Sequence, residues 1–492
     1  MNSVLDPVLG WALNRAGDLA LMSFGGYRML FSPVITPDLR LSLSRRRAAA
    51  VFYRARRTVP AYREFLTQHG AWSPRHHADI PVMDKENYIK RFPLPALCQG
   101  GVLPRRGAVI DESSGSTGTA TNWVRGPGER AAARRALQLS ARATFGQQSF
   151  VLLNTFALGP WATGMNVSMS LVDRCVLKSI GPDAKKVAAT LQLLGPSHRY
   201  VIMGYPPFLK GLVESADVDW GRYDICAVVG GEGMSEPLRA ALNRRFRKTI
   251  SSFGASDLEI NLGVETDFTI ALRQHMTSHP ALGKDLYGER NAVPMIFQYD
   301  PLNVYVETDD QRNLLFTLNR PENVSPRIRY NLHDRGLVRS REEVERVLAD
   351  HRVKLEVPGP RLGLPLLFHW GRQDSAVAFY GCKITPEDIQ NVILSVAELG
   401  ARVENYALHP YEDAAADKRL ELWMELSAGV PVPANSDALE AAVLDELTRV
   451  NQDFRESLRM IPVDRRPTLK LFRFGDSPIS GQDIRIKRRY IV

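Results

Sequence analysis

Cysteine is scarce. The chain of 492 residues has four, Cys98, Cys175, Cys226 and Cys382, and no two of them form a C-x-x-C pair. That spacing argues against a zinc ribbon or an extracellular disulfide framework, and it suits a reducing cytoplasm. A dominant charge is also missing: 63 basic residues stand against 54 acidic ones, a net charge of +9. So small an excess over this length fits anionic small molecules better than a nucleic-acid partner, which needs its charge on one face. The densest basic run is Arg45–Arg47 with Arg54, Arg56 and Arg57. Helical spacing spreads it around a cylinder striped by Leu43, Val51, Phe52 and Tyr53, the pattern of a packed helix with a solvated face. Long apolar runs are absent but for the uncharged stretch Phe150 to Val172. Gly159-Pro160 in its middle and its Asn and Ser residues make it a strand, a turn and a helix rather than a membrane span. The first 30 residues carry Asp6, Arg15, Asp18 and Arg28 and look like an amphipathic helix, not an export signal. A soluble, cytoplasmic protein with no membrane partner is expected.

The residues present are those of a globular chain, 44% hydrophobic and 24% charged, without repeats or low-complexity segments. Residues 1–110 look mainly helical. From Val109 onward the β-branched or aromatic runs VLLNTF, RYVIMGY, ICAVVGG and TISSFGA alternate with KKVAATLQLLG, PPFLKGLVESA and SEPLRAALNRRF. Such alternation predicts a parallel sheet wrapped by helices, with its site beyond the carboxyl ends of the strands. An antiparallel texture follows in VPMIFQY, LNVYVETDD, RNLLFTLN and SPRIRYNL, and the Pro- and Gly-rich stretch 353–370 reads as the approach to a boundary. The expected architecture is α/β. A large N-terminal domain, residues 1–370, combines the wrapped parallel sheet with an antiparallel, barrel-like part, and a small mobile α+β C-terminal domain spans 371–492.

Five strings carry chemistry. Between Asp111 and Thr121 runs ESSGSTGTA, with two glycines and five hydroxyl residues from Ser113 to Thr119. Such a loop can curl and present backbone N–H groups and hydroxyls to one anion, although no Gly-Lys-Ser/Thr ends it as in a Walker A loop. The second is VVGGEGMSEPLR, Val228 to Arg239, ending a strand on glycines. The third is SSFGASDLE, Ser251 to Glu259, where Asp257 or Glu259 could hold Mg²⁺. The fourth is PRIRYNLHDRG, Pro326 to Gly336. The fifth is GRQDS at Gly371, followed by GCKITP at Gly381.

In this order and at these spacings the five strings resemble the adenylate-forming superfamily of acyl-CoA synthetases, adenylation domains and luciferases, and within it the phenylacetate-CoA ligase branch. The resemblance runs from about Arg45 to the C-terminus. It implies that Ser113, Ser114, Gly115, Ser116, Thr117, Gly118 and Thr119 hold the phosphates of ATP. Gly231, Glu232 and Gly233 would line the adenine; Phe253, Gly254, Ala255 and Ser256 would flank adenine and acyl group. Asp334 would take the ribose hydroxyls and Arg372 would contact the nucleotide. Asp374 would be the hinge of the small domain, with Lys383 facing the site in the second of two orientations. The family ends on Gly-Lys and basic residues, whereas this chain reads SGQDIRIKRR from Ser480. A direct match puts Gln482 in the lysine's place; a shifted one, which the basic neighbours favour, puts Lys487 there. The acid's pocket is expected from Phe156, Trp161, Met165 and Tyr205, and the metal from Asp257 and Glu259. Implied partners are a small aromatic or hydrophobic carboxylic acid, ATP with Mg²⁺, and an acceptor: coenzyme A first, with an amine, a carrier protein or nitrite as alternatives. A nucleotide-binding regulator without turnover is the reading from another class. The longer segment 265–290, with His275 and His279 at i, i+4 but no Glu beside the first, fits a surface helix or a contact between two copies.

Overall fold

A computed structural model describes Leu19 and residues 22–492, apart from 33, 113–120, 160–161, 232, 289–292, 321, 359–360, 373–376, 380–381, 414–417, 452–453, 456–457, 459–460 and 481–489. Helices Phe24–Leu30, Pro37–Thr58 and Pro60–Gln68 come first, and only short 3₁₀ turns follow up to residue 108. The helical reading of the first 110 residues therefore holds for the described part to residue 68. Beyond it, the prolines at 74, 81, 93 and 95 deny the chain a longer helix.

Strands β1 (Val109–Glu112) and β2 (Asn122–Arg125) form an antiparallel hairpin, Val109 opposite Arg125 and Glu112 opposite Asn122. One sheet of 11 strands then organises the large part of the molecule. Its parallel half comprises β3 (Val151–Asn154), β4 (Val176–Ser179), β5 (Arg199–Gly204), β6 (Asp224–Gly230) and β7 (Lys248–Phe253). Val151, Leu153, Ile202, Ile225, Ala227 and Val229 face one apolar cluster, while Leu152, Val201, Met203, Cys226, Val228 and Ile250 face another. Both faces of β3, β5, β6 and β7 are covered by helices, which is why these four read as unbroken apolar runs, whereas the edge strand β4 is largely exposed.

Short β8 (Gly263–Val264) joins this half to antiparallel β9 (Met295–Gln298), β10 (Val304–Thr308), β11 (Asn313–Leu318), β12 (Tyr330–Arg339) and β13 (Leu366–Arg372). Two details differ from the sequence reading. β12 starts at Tyr330 and not within Ser325–Arg329, because Arg329 has φ +48° and breaks the ladder there. The Pro- and Gly-rich stretch before residue 366 leads into β13, which lies between β12 and β9 inside the sheet.

Residues 377–491 pack a core of their own from Val377, Ile389, Val392, Leu408, Leu422, Val443 and their neighbours. Here β14 (Val377–Phe379) pairs with β15 (Cys382–Ile384), and β16 (Val403–Glu412), β17 (Lys418–Leu426) and β18 (Thr468–Phe472) form a second sheet flanked by helices Pro386–Ser395 and Asp437–Val450. β16 escaped the sequence reading because Pro410 interrupts VENYALHPYE; as the edge strand, β16 tolerates it. Among the described residues, no helix is long and apolar enough to cross a membrane.

Candidate active site

The carboxyl ends of β3, β5, β6 and β7 bring Phe156, Tyr205, Gly231 and Phe253 to one edge of the sheet. Phe156 and Tyr205 meet edge to face, their centroids 5.1 Å apart. Gly231 turns at φ +82°, and a Cβ there would sit 2.7 Å from Tyr205 Cε1. Only glycine lets β6 end against that ring. Gly254 is equally closed in, with Ile260 O 2.3 Å from where its Cβ would be. Phe253 packs inward on Phe297 and His369, at 5.5 and 4.5 Å between centroids. Met165 is exposed, while Phe156 is buried.

The β1–β2 hairpin carries the hydroxyl-rich loop at its tip, and its base is fixed by charge. Arg125, buried on β2, lies 3.4 Å from Asp111 Oδ2 on β1 and 3.2 Å from Glu129 Oε1 on the next helix, and it donates to Ser256 O. Burial works against its charge, but Glu129 and Asp111 outweigh that and raise its pKa above the usual arginine value. Asp111 also accepts from Asn166 Nδ2 at 3.1 Å. A buried ion cluster thus ties the foot of the first string to the third.

The third string meets the fourth. Tyr330 donates its hydroxyl to Asp257 Oδ2 at 2.8 Å, and Lys85 Nζ lies 3.6 Å from Oδ1. Arg327 donates from Nε to Asp257 O and lies 4.5 Å over the Trp123 ring. Burial, with Arg125 nearby, pulls its pKa below the ordinary value. Glu259 Oε1 accepts from Arg320 at 2.7 Å. Asp257 and Glu259 are therefore each held by protein cations. Among the described residues no group of three His, Cys, Asp or Glu is placed to hold a metal. A metal taking either carboxylate would have to displace Lys85 or Arg320. Half-buried His275 and exposed His279 stack at 4.0 Å, and among the described residues no third ligand joins them.

Asp334 is buried on β12, with His369 Nε2 3.3 Å from its Oδ2 and Arg372 paired opposite it in β13. Behind the second string, Arg239 bonds Glu236, Glu265 and Thr249 O, and Arg273 bonds Glu236 Oε1 and Met234 O. Burial opposes the charge of Glu236, but the two arginines hold its carboxyl below the usual range. Arg273 also reaches Glu387 Oε1 at 3.4 Å on the Pro386–Ser395 helix.

Several expected residues lie outside the described ones: the loop Ser113, Ser114, Gly115, Ser116, Thr117, Gly118 and Thr119, then Trp161, Glu232, Asp374, Gln482 and Lys487. The side chains of Arg372 and Lys383 lie outside them too; the backbone of Lys383 pairs with Ala378 between β15 and β14. Sequence reasoning missed Arg125, Glu129, Lys85 and Arg273. Their partners come from distant segments, and only a lone charge inside an otherwise apolar run, as in NWVR, hinted at Arg125.

No family model matches the chain, and no curated protein sequence does. Solved structures match it over most of its length. A 2-hydroxyisobutyryl-CoA ligase in the postadenylation state superposes with a TM-score of 0.65 at 15% identity, covering 93% of this chain and 90% of that one. The fold is that of the adenylate-forming enzymes. The same ligase in the thioesterification state, with CoA, gives a TM-score of 0.51 at 14% identity, over 93% and 90% of the two chains. An anthranilate CoA ligase with anthranoyl-AMP gives 0.51 at 14%, over 77% of this chain and 65% of that one. At these identities the likeness concerns the fold. Within that fold, the hairpin foot, the Gly231 turn and the segment 253–259 lie around the carboxyl ends of the parallel strands, where such sheets bind ligands.

Proposed function

We propose that the chain is an ATP-dependent ligase. It would activate a small carboxylic acid as an acyl-adenylate and pass the acyl group to a nucleophile, coenzyme A first. The observation that carries this reading is the ion cluster of Arg125, Asp111, Glu129 and Ser256 O, which fixes the foot of the hydroxyl-rich loop against the strand ends. A flexible linker would need no such foundation. In this reading Ser113 to Thr119 donate hydroxyl and backbone hydrogen bonds to the triphosphate. Gly231 to Gly233 lie along the purine, where the missing side chains allow close approach, and Asp334 accepts from the two ribose hydroxyls. Magnesium arrives on the nucleotide as part of the substrate.

The acid's carboxylate oxygen attacks the α-phosphorus, and the bond to pyrophosphate breaks. Donors aimed at the phosphoryl oxygens stabilise the charge that builds there, and Lys487 is the proposed cation. A thiolate then attacks the carbonyl carbon, and AMP leaves with the bonding pair. Residues 371–492 would form the small domain that turns about Asp374 between these steps, bringing Lys383 to the site. The fold neighbours solved with acyl-AMP and CoA support this sequence of events, and within the superfamily the phenylacetate-CoA ligase branch remains our placement on motif grounds. The altered ending SGQDIRIKRR is what favours a second acceptor class: amines, a carrier protein or nitrite.

ATP–pyrophosphate exchange across aryl and alkyl acids tests the reading, with Lys487→Ala and Gln482→Ala beside the native chain. Exchange lost only in Lys487→Ala supports the lysine assignment. Nucleotide binding without exchange on any acid would overturn the ligase.

A further inference from the structure

A cavity of about 250 Å³ opens beside the hairpin foot, between helices Pro127–Phe145 and Ala162–Leu171 and the segment Leu258–Asn261. An engineered apolar cavity of ~150 Å³ takes up benzene, so this one has room for a substituted ring. Leu137, Met169 and Ile260 supply apolar wall, and Arg130, Asn166 and Asn261 supply polar wall.

The lining carries three basic and three acidic side chains, so it has no surplus of charge; what sets it apart is one cation without an opposite charge beside it. Arg125 is spent on Asp111 and Glu129, Glu259 on Arg320, and Arg134 pairs with Asp173 at the surface. Arg130 donates only to Gly107 O, at 3.1 Å, and to Met169 Sδ, a weak acceptor. Among the described residues it has no carboxylate within ion-pair distance. Asn261 accepts from Ser252 through Oδ1, and its amide nitrogen makes no hydrogen bond among the described residues. Phe156 and Tyr205, by contrast, already fill each other's space at the strand ends.

We propose that this cavity, resting on the ligase reading above, seats the part of the acid remote from its reacting carboxyl. Arg130 selects acids that carry a second anionic group on a small apolar frame. A carboxylate there meets the guanidinium in its two-pronged geometry. The cavity touches Asp111, two residues before the hydroxyl-rich loop, so the reacting end of such an acid is directed toward the phosphates.

The test compares benzene-1,3-dicarboxylate with benzoate, using pyrophosphate exchange for turnover and the thermal midpoint without nucleotide for binding. The native protein should prefer the dicarboxylate. In Arg130→Met the ratio of the two kcat/KM values should fall about 10- to 150-fold, the loss of one charge-assisted hydrogen bond. Arg130→Lys should recover part of it, and Arg135→Met, exposed on the same helix and outside the lining, should leave the ratio alone. Preference for benzoate, or an unchanged ratio in a folded Arg130→Met, overturns the inference. Should no acid support exchange, the ligase reading falls by itself. The cavity is then judged on the thermal midpoint: a rise with the dicarboxylate but not benzoate, lost in Arg130→Met, upholds it, and no rise overturns it.

Discussion

At Gly231 two independent constraints coincide, a positive φ and the face of Tyr205 2.7 Å from the missing Cβ. Gly231→Ala should cost about 1–3 kcal/mol in urea unfolding. Gly233→Ala should cost less, since its nearest contact is Glu387 Oε2 at 3.8 Å; equal losses would mean that the turn is not strained as described. Asp388 gives a pH signature. Burial lifts its pKa from 3.8 to about 6, against the hydrogen bonds from Thr385 and Asn451. Because the folded value lies above the unfolded one, this group favours folding at low pH. The contribution disappears as pH rises from about 4 to about 6, by ~3 kcal/mol at most. Asp388→Asn should therefore gain stability relative to the native chain between pH 4 and pH 7, measured by urea midpoints, and a flat difference would contradict it. At this scale the turn that ends β6 was legible, since Gly230-Gly231 and the cap at Ser235 announce it along the chain. Arg125 and Lys85 were not, because nothing local distinguishes a buried paired cation from a solvated one.

From 151 to 253 the elements follow the periodicity closely, because each buries both faces or one stripe within a short segment; the exception is the exposed edge strand β4, which the sequence reading missed. The β1–β2 hairpin shows the limit of that approach. Its two short strands bracket a loop that reads as a linker, and its anchorage is a contact with residues 129 and 256. Arg125→Met leaves Asp111 and Glu129 buried without their cation, and it should cost about 3–5 kcal/mol in denaturant unfolding. A loss below 1 kcal/mol would show that the hairpin foot is solvated. β16 and β18 went unseen, one interrupted by Pro410 and the other, TLKLF, too short and too mixed to stand out from the basic segment around it.

At the scale of the whole molecule, contacts among the described residues join the 377–491 core to the large sheet's helices. Arg273 reaches Glu387, Lys210 Nζ donates to Gly400 O, and Leu394 packs against the cluster under β5 and β6. Glu387 is 43% exposed at its side chain and Arg273 only 4%, which sets an asymmetry. Glu387→Gln should change stability by less than about 1 kcal/mol. Arg273→Gln should cost about 1.5–3 kcal/mol, since Glu236 and Met234 O lose a charged donor. Similar losses in urea unfolding would mean that the contact between the two parts is itself a buried pair.

β13 has a further consequence. Hydrogen-bonded on both sides by β12 and β9, it is also the stretch of chain that leads into the 377–491 core. The ladder with β12 runs to Arg372, so the near end of that connection is anchored in the large sheet. If the proposed ligase needs that core to turn, inserting two or three glycines between Arg372 and Val377 should slow acyl transfer, read by product mass, more than pyrophosphate exchange; equal losses would speak against the turn.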